Sequence, residues 1–225
     1  LSVGGVLFLL ACHWHAFLQP GRAFPLRAES AEARAIVVPG SAILLTGVPM
    51  LIASAGLALS QQSGRFVLAR TVDPHLLSEY ALGFQLFLPI FSVMYMAATV
   101  FWPRFAVGVT MRLWVQANLA LLLLGAGAAL GYLVFARPIA GFIGQGQLEL
   151  RWPLVIGFAL MFLAQSGTLA AANLLTDRRG FWLQAIMATG LLVLVIPLTI
   201  LGSMTSLAEA APAYAMAIGA VLAQA

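Results

Sequence analysis

The chain has no lysine, a single cysteine and few charges of either sign. Of its 225 residues only 8% are charged, with eleven Arg against seven Asp and Glu. A typical soluble domain carries about 25% charged residues, so a water-facing globular surface is excluded. Cys12 is alone, which rules out an intrachain disulfide and leaves redox compartment undetermined. No Gly-rich phosphate loop ending in Lys, no cysteine pair and no G-x-S-x-G elbow occurs, so no ATPase or hydrolase signature is present. His13 and His15 are two residues apart and fall on different helical faces, which argues against a metal site. No basic stripe interleaved with aromatics occurs either. The net charge of +4 and pI near 10.0 therefore report membrane topology and not nucleic-acid binding.

What is present is hydrocarbon: 62% hydrophobic residues and a mean hydropathy of +1.01. Several stretches reach the roughly 20 apolar residues that span about 30 Å of bilayer as a helix, whereas a barrel would show alternating segments of about ten. The expected fold is all-α, a polytopic transmembrane bundle. Spans are placed near residues 1–19, 43–70, 79–101, 113–136, 153–176, 181–202 and 208–225, about seven in all. Residues 36–60 could cross alone and leave 61–78 as a loop. The later register is preferred because Pro49 suits the first turn of a helix and Asp73–Pro74 supplies a stop and turn.

Trp14, Trp102, Trp114, Trp152 and Trp182 fall near span ends, as an interfacial belt would. Alternating spans put Arg22, Arg27, Arg34, Arg104, Arg112, Arg178 and Arg179 on one face. Arg70, Arg137 and Arg151 lie on the other, and the positive-inside rule makes the first face cytoplasmic. Residues 1–19 read as a span because no basic segment precedes them and no small-residue cleavage site follows. With Leu1 already in an apolar run and Ala225 ending one, the chain reads as a fragment of a longer protein. Pro20 to Arg34 is a polar connector, which places a cytoplasmic linker at 20–42 and a six-helix lobe at 43–225. The small residues Gly125 to Gly131 invite close helix packing, and Pro89 and Pro197 invite kinks. The outward connection from Arg137 to Trp152 is short and holds one acid, Glu149.

Arg65 is the most informative residue. It ends the run Gln61-Gln62-Ser63-Gly64-Arg65 inside an expected span, and a guanidinium at membrane depth costs about 2.5 to 3.5 kcal/mol on insertion scales. Such a group faces a polar cavity, a partner or a translocated anion. Gln61 and Gln62 lie four and three residues before it and share its helical face, with Ala58 and Ala69 leaving room beside them. The competing reading is that Arg65 snorkels to the interface, as Arg70 does closer to the helix end. Gln85 and Tyr95, Gln116 and Asn118, and Gln165 and Asn173 are further polar residues within spans that could line the same cavity. Of these, Gln85, Tyr95 and Gln165 join Arg65, Gln61 and Gln62 as candidate substrate contacts. No Asp or Glu is central to a span; Asp73, Glu79, Glu149, Asp177 and Glu209 all fall at ends or in loops. No carboxylate relay is therefore visible, and no catalytic or metal-binding residue is assigned.

Gly47-Val48-Pro49-Met50, then Arg65-Phe66-Val67-Leu68, then Glu79-Tyr80-Ala81-Leu82-Gly83 together resemble the bacterial polysaccharide (O-antigen type) flippases. These belong to the multidrug/oligosaccharidyl-lipid/polysaccharide exporter superfamily, whose lobes open with Gly, Pro and aliphatics, continue to D-R-[FY]-[IV]-L and reach a G-x-Y element. Gly64 stands where that pattern has Asp. Trp102-Pro103-Arg104-Phe105 and Asp177-Arg178-Arg179 are similar to the family's helix end and basic turn. The resemblance implies the second lobe of a MATE-like exporter fold in the bacterial cytoplasmic (inner) membrane, with residues 1–19 as the last helix of the preceding lobe. It implies alternating access that flips a polyprenyl-diphosphate-linked oligosaccharide, with Arg65 on the diphosphate and Gln61 and Gln62 on sugar hydroxyls. The implied partners are the lipid-linked oligosaccharide, membrane lipids and polysaccharide polymerase machinery, with no nucleic acid. No cofactor is implied; proton or sodium coupling is open, with no residue assigned. Alternatives on the same residues are a multidrug or cation exporter and a membrane-embedded glycosyltransferase or ligase.

Overall fold

A computed structural model describes residues 40–175 and 178–222. The expected span 1–19, most of the linker 20–42, and the residues Trp14, Cys12, His13, His15 and Asp177 lie outside the described residues. The chain is all-helical there: α1 Gly40–Thr71, α2 Pro74–Thr99, α3 Trp102–Val107, α4 Met111–Ile143, α5 Trp152–Leu174 and α6 Arg178–Ser203. A 3₁₀ turn at Ala208–Ala210 leads into α7, Ala211–Leu222.

The helix boundaries follow from local chemistry. Asp73 caps α2 by accepting a 2.8 Å hydrogen bond from the His75 amide, with Pro74 in the first turn where its missing N–H costs nothing. Thr110 caps α4 in the same way through the Leu113 amide at 3.2 Å. Pro103 and Pro153 occupy the first turns of α3 and α5. α1 runs without a break through Gln61 to Arg70, so residues 61–71 are helix and not loop. Its start at Gly40 places Pro49 inside the helix and not, as expected, in its first turn.

Four helical stretches are long and apolar enough to cross a membrane: Pro74–Phe105, Met111–Ile143, Trp152–Leu174 and Arg179–Ser203. The protein is accordingly a multi-pass membrane protein, with four such spans among the described residues in place of the expected seven. α1 is one unbroken 32-residue helix over the expected span 43–70, and Ala208–Leu222 is an apolar helix shorter than a span among the described residues.

Neighbouring contacts give the direction of each helix. Gly83 of α2 accepts a 2.8 Å hydrogen bond from the Tyr132 hydroxyl of α4, and Gly125 and Tyr132 of α4 meet Ser166 and Phe158 of α5 in reverse order. α4 is therefore antiparallel to α5, whereas Phe84 and Phe87 of α2 meet Phe158 and Phe162 in forward order. Successive long helices run in alternating directions. Thr71, Pro74, Ile143, Trp152 and Ser203 gather at one end, Thr99, Met111 and Leu174 at the other.

α5 is the central helix: 67% of its apolar window is buried, against 22–28% in the other three spans. Its Phe158 and Phe162 join Tyr80, Phe84, Phe87 and Phe91 of α2 and Tyr132 of α4 in a continuous aromatic core, with centroids 4.4–6.2 Å apart. Lipid supplies no hydrophobic drive between helices, so this packing and the close approach of small residues hold the bundle together. Of the small residues in α4, Gly125 does this: a Cβ there would fall 2.5 Å from Ser166 Cβ. Gly127 and Gly131 have nothing within 4 Å and serve no such contact.

Candidate functional site

A cavity of about 200 Å³ opens where α1, α2, α5, α6 and α7 converge. Its polar lining is Ser54 from α1, Tyr95 from α2, Gln165 and Thr168 from α5, and Gln184 from α6, with aliphatic and alanine side chains between them. Among the described residues no charged side chain lines it. Gln184 is committed structurally, because its Nε2 donates to the Ala172 carbonyl at 3.0 Å and the Leu175 carbonyl at 2.6 Å, closing the C-terminus of α5. Thr168 Oγ1 donates to the Gln165 carbonyl at 2.7 Å, which leaves its lone pairs for an incoming donor. Gln165 differs from both. It is 4% exposed and its Nε2 has no hydrogen-bond partner. An unpaired buried amide costs about 1–3 kcal/mol, so the site carries an unspent donor that suits a hydroxyl or carbonyl oxygen.

The six candidate residues divide into three groups. Tyr95 and Gln165 meet in this cavity. Gln61 and Arg65 do not line it, yet they continue its α1 wall: Leu57 lines it, Gln61 is one turn further and Arg65 two, about 12 Å along the axis. Gln85 is exposed and lines neither this cavity nor the groove between α1 and α6, and Gln62 points about 100° around α1 from Gln61. The remaining amides are unavailable: Asn118 and Asn173 donate to carbonyls of their own helices at 3.1 and 2.8 Å, and Gln116 is exposed.

Arg65 is half-buried in the seam between α1 and α2. Its Cζ lies 4.8 Å from the centroid of Phe84, a cation–π contact. Its Nε is buried without a hydrogen-bond partner, and no carboxylate pairs with it among the described residues. Gly64 sits at a close approach of three helices. An added Cβ would collide with Pro212 Cβ and sit 2.9 Å from Pro212 Cγ and Tyr80 Oη, so no larger side chain fits.

An ionic cluster at the end of the bundle away from the cavity, the end nearer Arg65, was not foreseen. Glu79, expected at a span end or in a loop, is inside α2 and 3% exposed, and Glu209 is 2% exposed. Arg151 bridges them, with Nε 3.8 Å from Glu79 and Nη1 3.9 Å from Glu209, while His75 Nδ1 lies 3.2 Å from Glu79. The cluster ties α2, the start of α5 and the turn before α7. The i,i+4 spacing of His75 and Glu79 was the available sequence signal. Two further expectations are corrected nearby. Arg137 belongs to α4, not to a loop; it bonds the Leu150 carbonyl at 3.0 Å and stacks on Trp152 at 5.0 Å. Trp114 is buried against Phe105 at 6.3 Å, so it is core and not belt, whereas Trp102, Trp152 and Trp182 are exposed.

Comparison with protein families, with curated proteins and with solved structures finds no match to this chain.

Proposed function

We propose that the chain is a lobe of a transporter that flips polyprenyl-diphosphate-linked oligosaccharide across a bacterial cytoplasmic membrane. The bundle is then the second lobe of a MATE-like exporter working by alternating access. The observation that carries this reading is one α1 face on which an uncharged, hydrogen-bonding cavity leads through Gln61 to a carboxylate-free guanidinium. A sugar needs neutral donors and acceptors, which Tyr95, Thr168 and Gln165 provide. A diphosphate needs a cation with free N–H groups, and Arg65 holds its charge against Phe84 with Nε unpaired. The fork geometry of Arg then allows bidentate contact with phosphate oxygens.

With the arginine-rich end taken as cytoplasmic, the cavity lies in the cytoplasmic half and Arg65 in the outer half. The passenger's glycan enters the wall where it is synthesised, and its diphosphate follows along the seam. At 200 Å³ the cavity is below the 300–1,000 Å³ of drug-sized pockets, so in this conformation it takes a single sugar ring or less. A cation exporter on the same scaffold is disfavoured, because no carboxylate among the described residues lines the cavity.

Replacing Arg65 by Ala in the native strain tests the assignment. Surface polysaccharide is expected to be lost while the protein stays in the membrane at normal abundance, with Arg65→Lys retaining part of the export as a point charge. Normal export by the Ala variant overturns the assignment.

A further inference from the structure

A second concavity shares no residue with the cavity described above. It is a groove of about 540 Å³ between α1 and α6, walled by Leu59, Phe66, Leu192, Ile196 and Ile200, with Arg70 and Thr71 at one end. We infer that this groove holds one acyl chain of an anionic phospholipid, with the phosphate on Arg70.

Three observations converge on that occupant. The first is length. Leu59 is near the middle of α1 and Thr71 is its last residue, twelve positions apart, so the groove runs for about 18 Å. One leaflet of a bilayer with about 30 Å of hydrocarbon is about 15 Å deep. The groove thus spans one leaflet, from midplane to headgroup level.

The second is charge placement. Arg70 is in the last turn of α1, where a lipid phosphate would lie, and it has no carboxylate partner among the described residues. Thr71 satisfies its own hydroxyl proton by donating to the Val67 carbonyl at 3.0 Å, which orients its oxygen as an acceptor only. Arg70 is therefore the one cation among the described residues of the groove and its natural anchor for an anion.

The third is the wall itself. Ser63 is the other polar lining residue, and its hydroxyl is turned back to the Ser60 carbonyl at 2.8 Å. Along its length below Arg70 the groove consequently offers hydrocarbon and no free hydrogen-bond donor, which a polar or glycan ligand would need. An amphiphile with one apolar chain and one anionic head matches both halves. The inference is independent of what the transporter carries.

The test is native mass spectrometry of the full chain, delipidated in detergent and then offered equal amounts of phosphatidylglycerol and phosphatidylcholine. Phosphatidylglycerol adducts are expected to exceed phosphatidylcholine adducts about fivefold, the effect of one basic residue near an anionic headgroup. Arg70→Gln is expected to abolish that preference and Arg70→Lys to keep it. Ile196→Trp, which fills the groove, is expected to remove adducts of both lipids. Equal binding of the two lipids, a preference that survives Arg70→Gln, or adducts that survive Ile196→Trp would overturn the inference. So would displacement of phosphatidylglycerol by an equimolar polyprenyl diphosphate, which would make the groove a passenger site.

Discussion

Replacing Gln165 by Met should raise stability and abolish transport together. The side chain is 4% exposed and its Nε2 is unpaired. An unsatisfied buried donor costs about 1–3 kcal/mol, and a polar contact between helices in a membrane contributes about 0.6 kcal/mol on average. Met has nearly the length of Gln, adapts to irregular gaps and carries no donor. Removing the penalty while forfeiting one average polar contact leaves a net gain of about 0.4 to 2.4 kcal/mol. For chains of 150–250 residues each kcal/mol moves Tm by about 2–4 °C, so the variant should melt about 1–10 °C higher in detergent. The same substitution removes the one uncommitted amide of the cavity, and export of surface polysaccharide should fall at least tenfold. A structural glutamine gives the opposite pair, lower Tm with export in proportion to surviving protein. A fall in Tm would refute the claim that this donor is held in reserve for a ligand.

Two further substitutions test the packing that positions the site. Gly64→Ala should destabilise by about 1–3 kcal/mol, the usual cost of overpacking, because Pro212 of α7 occupies the space of the new methyl; a Tm equal to the parent's would contradict the close approach of α1 and α7. Arg151→Ala leaves Glu79 and Glu209, 3% and 2% exposed, without the guanidinium they share. Breaking a buried pair costs about 3–5 kcal/mol, and since Arg151 itself is half in solvent the low end applies. Membrane abundance should fall for Arg151→Ala and recover with Arg151→Lys; unchanged abundance would show that the cluster does not hold this end of the bundle.

The helices were legible because their signals are local. Asp73–Pro74 and Thr110 cap where capping residues should, and the polar run Gln61 to Arg65 does not break α1: Arg65 rests on Phe84 of α2 and the Ser63 hydroxyl turns back to the Ser60 carbonyl. What the sequence hid depends on distant partners. Glu79 looks like an end residue until Arg151, seventy-two positions later, covers it. Trp114 has the position of a belt residue, but Phe105 folds back onto it through α3. Polarity within a span marked Gln85, Tyr95 and Gln165 alike. Only the rotation of α2 around its axis, set by Phe84, Phe87 and Phe91 facing α5, turns Tyr95 to the cavity and Gln85 away from it. The glycine at position 64 became intelligible only with Pro212 in view.

The most direct measurement is photocrosslinking in membranes from Tyr95→p-benzoylphenylalanine, using radiolabelled polyprenyl-diphosphate-linked oligosaccharide beside a cationic dye, with Gln85→p-benzoylphenylalanine as the control outside the cavity. The account predicts label from the glycan lipid at position 95, none at position 85, and a loss of label when Arg65→Ala is added. Label from the dye alone, or equal glycan label at both positions, would contradict it.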